Sequence, residues 1–416
     1  MFTILRGFVP LALAAGLLTA CTGGGTESNV QVSTLGQAMD GITADQQAAF
    51  ERGRALFSKR FGPSEGLGPL YNATSCESCH STPVPGGSAK MYRNFYIAAV
   101  GFPGFQFALP GTPSVVVPAF GQTPHATSSF STTARRSNLP TTIFGLPVAI
   151  TQRNALPTFG VGLFETISDA TILANADPDD LDGDGISGRG NYFNGGLGRF
   201  GTKAQSNNLE QFTRGPLNNQ MGITSNPFQG TGATVSLGEG RLQVGADPTA
   251  PLVDMDGVPD PEISEQDLSD LIAFARFLAP PRKKAFSAEA TQGEQLFGQI
   301  GCTKCHIPAL QGTDGPVEAY TDLLLHDMGP GLADGVHMPG TVPQASSISL
   351  GTTESEWRTQ PLWGVSMSAP FLHDGRAETL DEAILLHGGE AQTIRDTYVG
   401  LSDAERAAII AFLEAL

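Results

Sequence analysis

The sequence predicts a mainly α-helical chain in which one structural unit is used twice, the first copy opened by a large loop- and β-rich insert. Three observations carry that prediction. A Cys-x-x-Cys-His string occurs at Cys76–His80 and again at Cys302–His306, a helix-like stretch precedes each string and a capped amphipathic one follows it, and the segment between the first string and its closing helix is crowded with Gly, Pro, Ser and Thr. With 40% of 416 residues hydrophobic and 16% charged, the chain can bury a substantial core, which excludes whole-chain disorder. Its formal net charge of −17 leaves no basic footprint for phosphates, so a nucleic-acid partner is not expected.

In chain order, residues 1–20 carry a single charge, Arg6, ahead of an apolar run from Phe8 to Leu18. That length suits a secretory signal and is too short to span a bilayer. The run closes on Leu18-Thr19-Ala20-Cys21, which resembles a bacterial lipobox with Cys21 as the lipidated residue; the alternative is an ordinary signal with a stray cysteine. Residues 21–39, with Gly23, Gly24 and Gly25, read as a flexible tether. The expected location is therefore the periplasmic face of a membrane, the outer one by preference, held by lipid.

A helix-like stretch from Thr43 to Phe61 includes Gly53-Arg54-Ala55-Leu56-Phe57, and its echo, Ser287 to Gln299, includes Gly293-Glu294-Gln295-Leu296-Phe297. Behind the first string, Ser264-Glu265-Gln266-Asp267 opens a helix with Leu268, Leu271, Ile272, Phe274 and Leu278 on its apolar face. Behind the second, Ser402-Asp403-Ala404-Glu405 forms a capping box before Ala408, Ile409, Phe412 and Leu413. The segment Pro280-Pro281-Arg282-Lys283-Lys284 cannot continue the preceding helix and reads as the linker. This gives domains at 40–281, with its insert at 83–262, and at 285–416. Within the insert, Val115-Val116-Val117 and Thr142 to Ile150 are β-prone.

Four of the five cysteines belong to the two strings. Each string is the attachment pattern of a c-type haem: two thiols reach the two vinyl groups of one porphyrin, and the adjacent imidazole turns beneath the ring to bind iron. Cys76, Cys79 and His80 would hold one covalent haem c, and Cys302, Cys305 and His306 the other, each unit a cytochrome c-like domain. A disulfide or zinc reading leaves the two following histidines unexplained.

Beyond the strings, the mature chain resembles bacterial di-haem c-type oxidoreductases, a group that carries a thiol-oxidoreductase label and is distantly related to di-haem cytochrome c peroxidases. The resemblance rests on Gly160-Val161-Gly162-Leu163-Phe164-Glu165, the Asp177–Arg189 loop, Gly198-Arg199-Phe200-Gly201-Thr202-Lys203-Ala204, Leu325-His326-Asp327-Met328-Gly329-Pro330, and the string from Ala369 to Leu380. In the peroxidases a Met fourteen residues beyond the counterpart of His373 is the sixth ligand of the C-terminal haem; here that count reaches His387. Bis-imidazole ligation would make this haem low-spin with a lower potential than His/Met ligation. Met338, Met367 and Met328 are the alternatives. For the first haem Met91, His125, Met221 and Met255 offer nothing comparable, so an open or weakly ligated iron is expected.

Peroxide chemistry at such an iron needs a group to move the proton. Glu165, set among Leu163, Phe164 and Ile167, resembles the distal glutamate of the peroxidases, a salt-bridged structural glutamate being the alternative. Arg199 could polarise a ligand or pair with a propionate. Asp180, Asp182 and Asp184 fit the first half of a calcium loop whose twelfth position is Asn191 rather than Glu, and the resemblance implies a calcium between the domains. Asp254, Asp256 and Asp260 form a poorer cluster. His326, Asp327, His337 and His373 are expected near the domain interface, His373 as a structural residue. The thiol-oxidoreductase label follows from no residue, since no cysteine is left for exchange.

The resemblance implies a peroxidase-like oxidoreductase. Electrons from a periplasmic donor, such as a small cytochrome or cupredoxin, would enter at the second haem and reach a small oxidant at the first. Trp357 and Trp363 could assist the transfer. A purely electron-carrying di-haem cytochrome and a di-haem oxygenase share the architecture and remain open.

Overall fold

A computed structural model describes residues 35–67, 73–102, 142–193 apart from 144, 196–226, 258–335 and 352–416. Short strand pieces are also described at 105–107, 115–116, 242–243, 252–253, 342–343 and 348–349. Cys21, His125, Asp254, Met255, Asp256, His337 and Met338 lie outside the described residues. No helix among the described residues is long and apolar enough to cross a membrane.

The helices are α1 (Ala44–Ser58), α2 (Asp169–Leu173), α3 (Leu209–Met221), α4 (Glu265–Phe277), α5 (Ala288–Gln299), α6 (Leu380–Leu385), α7 (Gln392–Val399) and α8 (Asp403–Leu413). Their starts follow from local chemistry. Thr43, Ser264, Ser287 and Ser402 each accept a hydrogen bond from a backbone N–H of the first turn, and Thr43 and Ser402 complete capping boxes with Gln46 and Glu405.

Two helix pairs dominate, α1 against α4 and α5 against α8, and each crosses at a glycine. A Cβ on Gly53 would stand 1.9 Å from the Asp270 carbonyl oxygen, and one on Gly293 would stand 1.9 Å from that of Ala408. Only a residue without a side chain permits backbones this close. One turn on, Phe57 meets Phe274 at 4.7 Å between ring centroids, and Phe297 meets Phe412 at 5.3 Å. The echo in the sequence is thus an echo in packing.

The expectation of a mainly α-helical fold needs correction: the architecture is mixed. A five-stranded antiparallel sheet runs in the order β2-β1-β5-β4, with β3 also pairing β1. Its members are β1 (Phe95–Phe102), β2 (Phe105–Phe107), β3 (Val115–Val116), β4 (Thr142–Ile143) and β5 (Leu146–Arg153). Strands appear in the C-terminal half too, where Leu310–Gly312 pairs Gly315–Val317 and Leu325–Asp327 pairs Glu356–Arg358. These pieces are too short for their periodicity to show in the sequence.

Backbone hydrogen bonds stitch the two halves together. Arg189 and Leu325 exchange N–H···O bonds of 2.9 and 2.8 Å, Asn154 N–H donates to the His373 carbonyl at 2.7 Å, and Thr313 N–H to the Thr166 carbonyl at 3.0 Å. The Pro280–Lys284 connection is pinned rather than loose: Lys284 N–H donates to the Ala415 carbonyl at 2.8 Å, and Lys283 pairs with Glu318 at 2.8 Å.

Candidate functional site: two cysteine and histidine cradles

Each Cys-x-x-Cys-His string opens as a single 3-10 turn, Cys76–Ser78 or Cys302–Lys304, with the second cysteine as its C-cap and the histidine directly after it. The four thiols are not paired as disulfides. Burial pushes the Cys76 thiol up to about 12, Cys79 to about 11 and Cys302 to about 12, the mark of apolar pockets. The imidazoles are held alike. His80 Nδ1 donates to the Gly87 carbonyl at 3.1 Å, with the Leu156 carbonyl as a further partner of the ring, and His306 Nδ1 donates to the Tyr320 carbonyl at 2.9 Å, which leaves Nε2 of His306 as its ligand atom. Phe57 lies 6.1 Å from the His80 ring at 52°, and Phe297 lies 6.2 Å from His306 at 55°.

A porphyrin carrying two thioethers and an axial imidazole needs two unpaired thiols at this spacing, an imidazole with a fixed tautomer, and an apolar wall. Both cradles supply all three, so the donor sets fit a haem at each.

The cradles differ in what surrounds the imidazole. Burial pushes His306 down to about 4, opposed by the Tyr320 carbonyl, and His387 lies close enough to add to the shift. His387 follows α6, which Thr379 caps with Glu382 in a capping box. Its Nδ1 donates to the Ala383 carbonyl at 2.7 Å, so Nε2 is the nitrogen left for a ligand role, and burial lowers its pKa. Of the alternatives, Met367 packs against the large apolar core and Met328 is held by its N–H to the Ser355 carbonyl at 2.9 Å. For His80, burial lowers the pKa against the carbonyls of Gly87 and Leu156, and no second imidazole enters among the described residues. Met221 is packed in the core beside that cradle, and Met91 is 46% exposed.

Glu165 lies on the 3-10 turn Val161–Thr166 and is doubly engaged. Its Oε2 accepts from Arg276 Nε at 2.7 Å, and its Oε1 accepts from Arg276 Nη2 at 3.3 Å and from Leu209 N–H, at the start of α3, at 3.0 Å. Arg276, on α4, was invisible in the sequence because one exposed-looking arginine on an amphipathic helix announces no partner. Arg199 braces the same turn: Nη1 donates to the carbonyls of Phe164 at 2.9 Å and Ile167 at 2.6 Å, while Nη2 pairs with Asp169. Phe164 stacks on Trp363 at 5.5 Å and 8°.

The acidic loop is rearranged relative to expectation. The carboxylates that converge are Asp177, Asp180 and Asp182, in place of the expected Asp180, Asp182 and Asp184. Asp184 is drawn off by Lys304, inside the second cysteine string, at 2.8 Å. His373 is stacked on Trp357 at 3.9 Å and 9°. Burial, and then the nearby Arg153 cation, push it down to about 3. Lys203 Nζ and Arg153 also lie 4.0 and 4.7 Å from the Trp357 ring, a cationic setting the sequence did not show.

Against known proteins, residues 87–416 match the family profile described as "Di-haem oxidoreductase, putative peroxidase". Two cytochrome-c peroxidases of Denitromonas iodatirespirans are similar: IdrP1 at 30% identity, covering 32% of this chain and 42% of that protein, and IdrP2 at 27%, covering 32% and 40%. The matched segments thus span about two fifths of those relatives. Among solved structures, a Kuenenia stuttgartiensis hydrazine synthase pressurised with xenon aligns with 99% of this chain and 100% of its own at 14% identity. Its TM-score of 0.41 is too low to carry an argument.

Proposed function

Since the chain belongs to the di-haem oxidoreductase family, we propose that it works as a peroxidase-like enzyme with two covalently attached haem c groups of unlike roles. Cys302, Cys305 and His306 would hold the haem that supplies electron entry from an external donor, and Cys76, Cys79 and His80 would hold the haem that supplies reduction of a small oxidant such as peroxide. The observation that carries this reading is the asymmetry of the cradles: His306 has the half-buried His387 as neighbour, and His80 has no imidazole counterpart among the described residues. A bis-imidazole site is built for electron transfer, because a filled coordination sphere excludes substrate. Each haem supplies the redox chemistry of its iron.

The protein's own part at the first site is proton handling and exclusion of water. Glu165 takes or gives a proton at its carboxylate, Arg276 and the Leu209 N–H fix its direction, and Arg199 holds the turn that carries it. Of the two tryptophans Trp363 is better suited to assist electron transfer, because it stacks on Phe164 in the core that also reaches Cys76 and Cys79.

In this reading the acidic Asp177, Asp180 and Asp182 loop holds calcium, Cys21 carries a lipid anchor on the periplasmic side, and the net charge of −17 favours a basic cytochrome or cupredoxin donor. The test is rapid mixing of the half-reduced holoprotein with hydrogen peroxide. The reading predicts fast spectral change at one haem and catalytic peroxide loss with an added reductant. No reaction in any redox state would make the protein an electron carrier.

A further inference from the structure

A buried side-chain network borders the second cradle. His326 is 3% exposed and donates from Nε2 to Asp322 Oδ2 at 2.8 Å and from Nδ1 to Glu390 Oε2 at 2.7 Å. With a carboxylate on each nitrogen, neither is open to iron, so His326 is not an axial ligand.

The two carboxylates lead to the two faces of the haem site. Asp322 stands two residues after Tyr320, whose carbonyl orients His306. Glu390 stands three residues after His387, across Gly388 and Gly389. A two-glycine loop gives an axial ligand little restraint of its own. Here the loop is pressed onto the Leu325–Asp327 strand, where a Cβ on Gly389 would stand 2.1 Å from the Asp327 carbonyl oxygen. Glu390 pins it further, accepting from Asp327 N–H at 3.0 Å, Ser187 N–H at 3.0 Å and Ser187 Oγ at 2.6 Å.

We propose that His326 is a positioning residue, and that the Asp322–His326–Glu390 clamp sets the separation of His306 and His387 and so keeps the second haem six-coordinate. The proposal rests on the reading of His387 as axial ligand. Charge-assisted bonds on both nitrogens suit a clamp, being short and directional. The clamp also continues through Ser187 into the acidic loop, so the segment that reaches Lys304 through Asp184 is tied to the same axial face.

The test is ferric EPR of the haem-loaded protein and of Glu390→Ala, His326→Leu, Glu390→Gln and His387→Ala, each normalised to haem content. Glu390→Ala and His326→Leu should lose low-spin amplitude at the second haem, gain a high-spin signal, and recover low-spin character with added imidazole beyond the change seen in the wild type. Glu390→Gln keeps one oxygen, which can serve His326 Nδ1 and the Ser187 N–H but not the Asp327 N–H that the other oxygen takes, and should retain part of the low-spin signal. Unchanged spectra in both disrupting variants, with His387→Ala converted to high-spin, would overturn the clamp and leave the ligand reading standing. A low-spin second haem in His387→Ala would overturn the ligand reading and the clamp with it. If His326→Leu fails to retain haem, Glu390→Ala decides.

Discussion

The two cradles share a floor and differ in their roof. Below, each has a helix pair crossing at a glycine, a phenylalanine against the imidazole, and an Nδ1 tied to a backbone carbonyl. Above, the second is approached by His387, whereas no second imidazole enters the first among the described residues. The lesson is that duplication preserves what grips a cofactor, and function is set by what the flanking segments bring against it. The floor is fixed by backbone contacts that tolerate few substitutions; the roof depends on single side chains.

The largest effect falls at Glu165. Glu165→Gln should lower peroxide turnover by about 10²- to 10⁴-fold, the usual worth of a positioned acid–base group, with both haems still attached. Steady-state assay with an artificial reductant measures it, and retained turnover would make the Arg276 pair purely structural. Next comes His387→Ala, which should turn one low-spin haem high-spin and leave the other alone, read from optical and EPR spectra; an unchanged spectrum would move the ligand to a methionine.

Smaller effects test the shared floor. Gly53→Ala and Gly293→Ala each push a Cβ against a carbonyl, and each should destabilise its helix pair by about 1–3 kcal/mol, as overpacking does. Denaturant titration checks this, and a large difference between the two would break the equivalence of the pairs. Least of all, Ser264→Ala and Ser402→Ala should each cost about 1 kcal/mol through the lost cap. A cap effect confined to one of them would show that only that helix start is stability-limiting.

The floor was legible in the sequence because local patterns encode it: Gly-x-x-Leu-Phe ahead of each cysteine string, and serine caps ahead of apolar periodicity. His387 was singled out through the resemblance, as a spacing from His373, and it lies near His306. What was not legible came from partners far apart in the chain. Nothing near Glu165 announces Arg276, and nothing near His387 announces that Glu390 is bound by His326. The acidic loop shows the same limit: alternate aspartates suggested one trio, and Lys304, 120 residues away, removes Asp184 from it. The β-prone Thr142 to Ile150 stretch is part of the main sheet, and the strands left unread in the C-terminal half are three residues long, too short for alternation to show.

The central claim, two haems of unlike coordination on equivalent floors, is tested most directly by quantitative EPR of the fully ferric holoprotein before and after hydrogen peroxide. The account predicts equal amounts of one low-spin and one high-spin haem, with the change on adding peroxide beginning at the high-spin signal. Two low-spin haems, unmoved by peroxide, would contradict it.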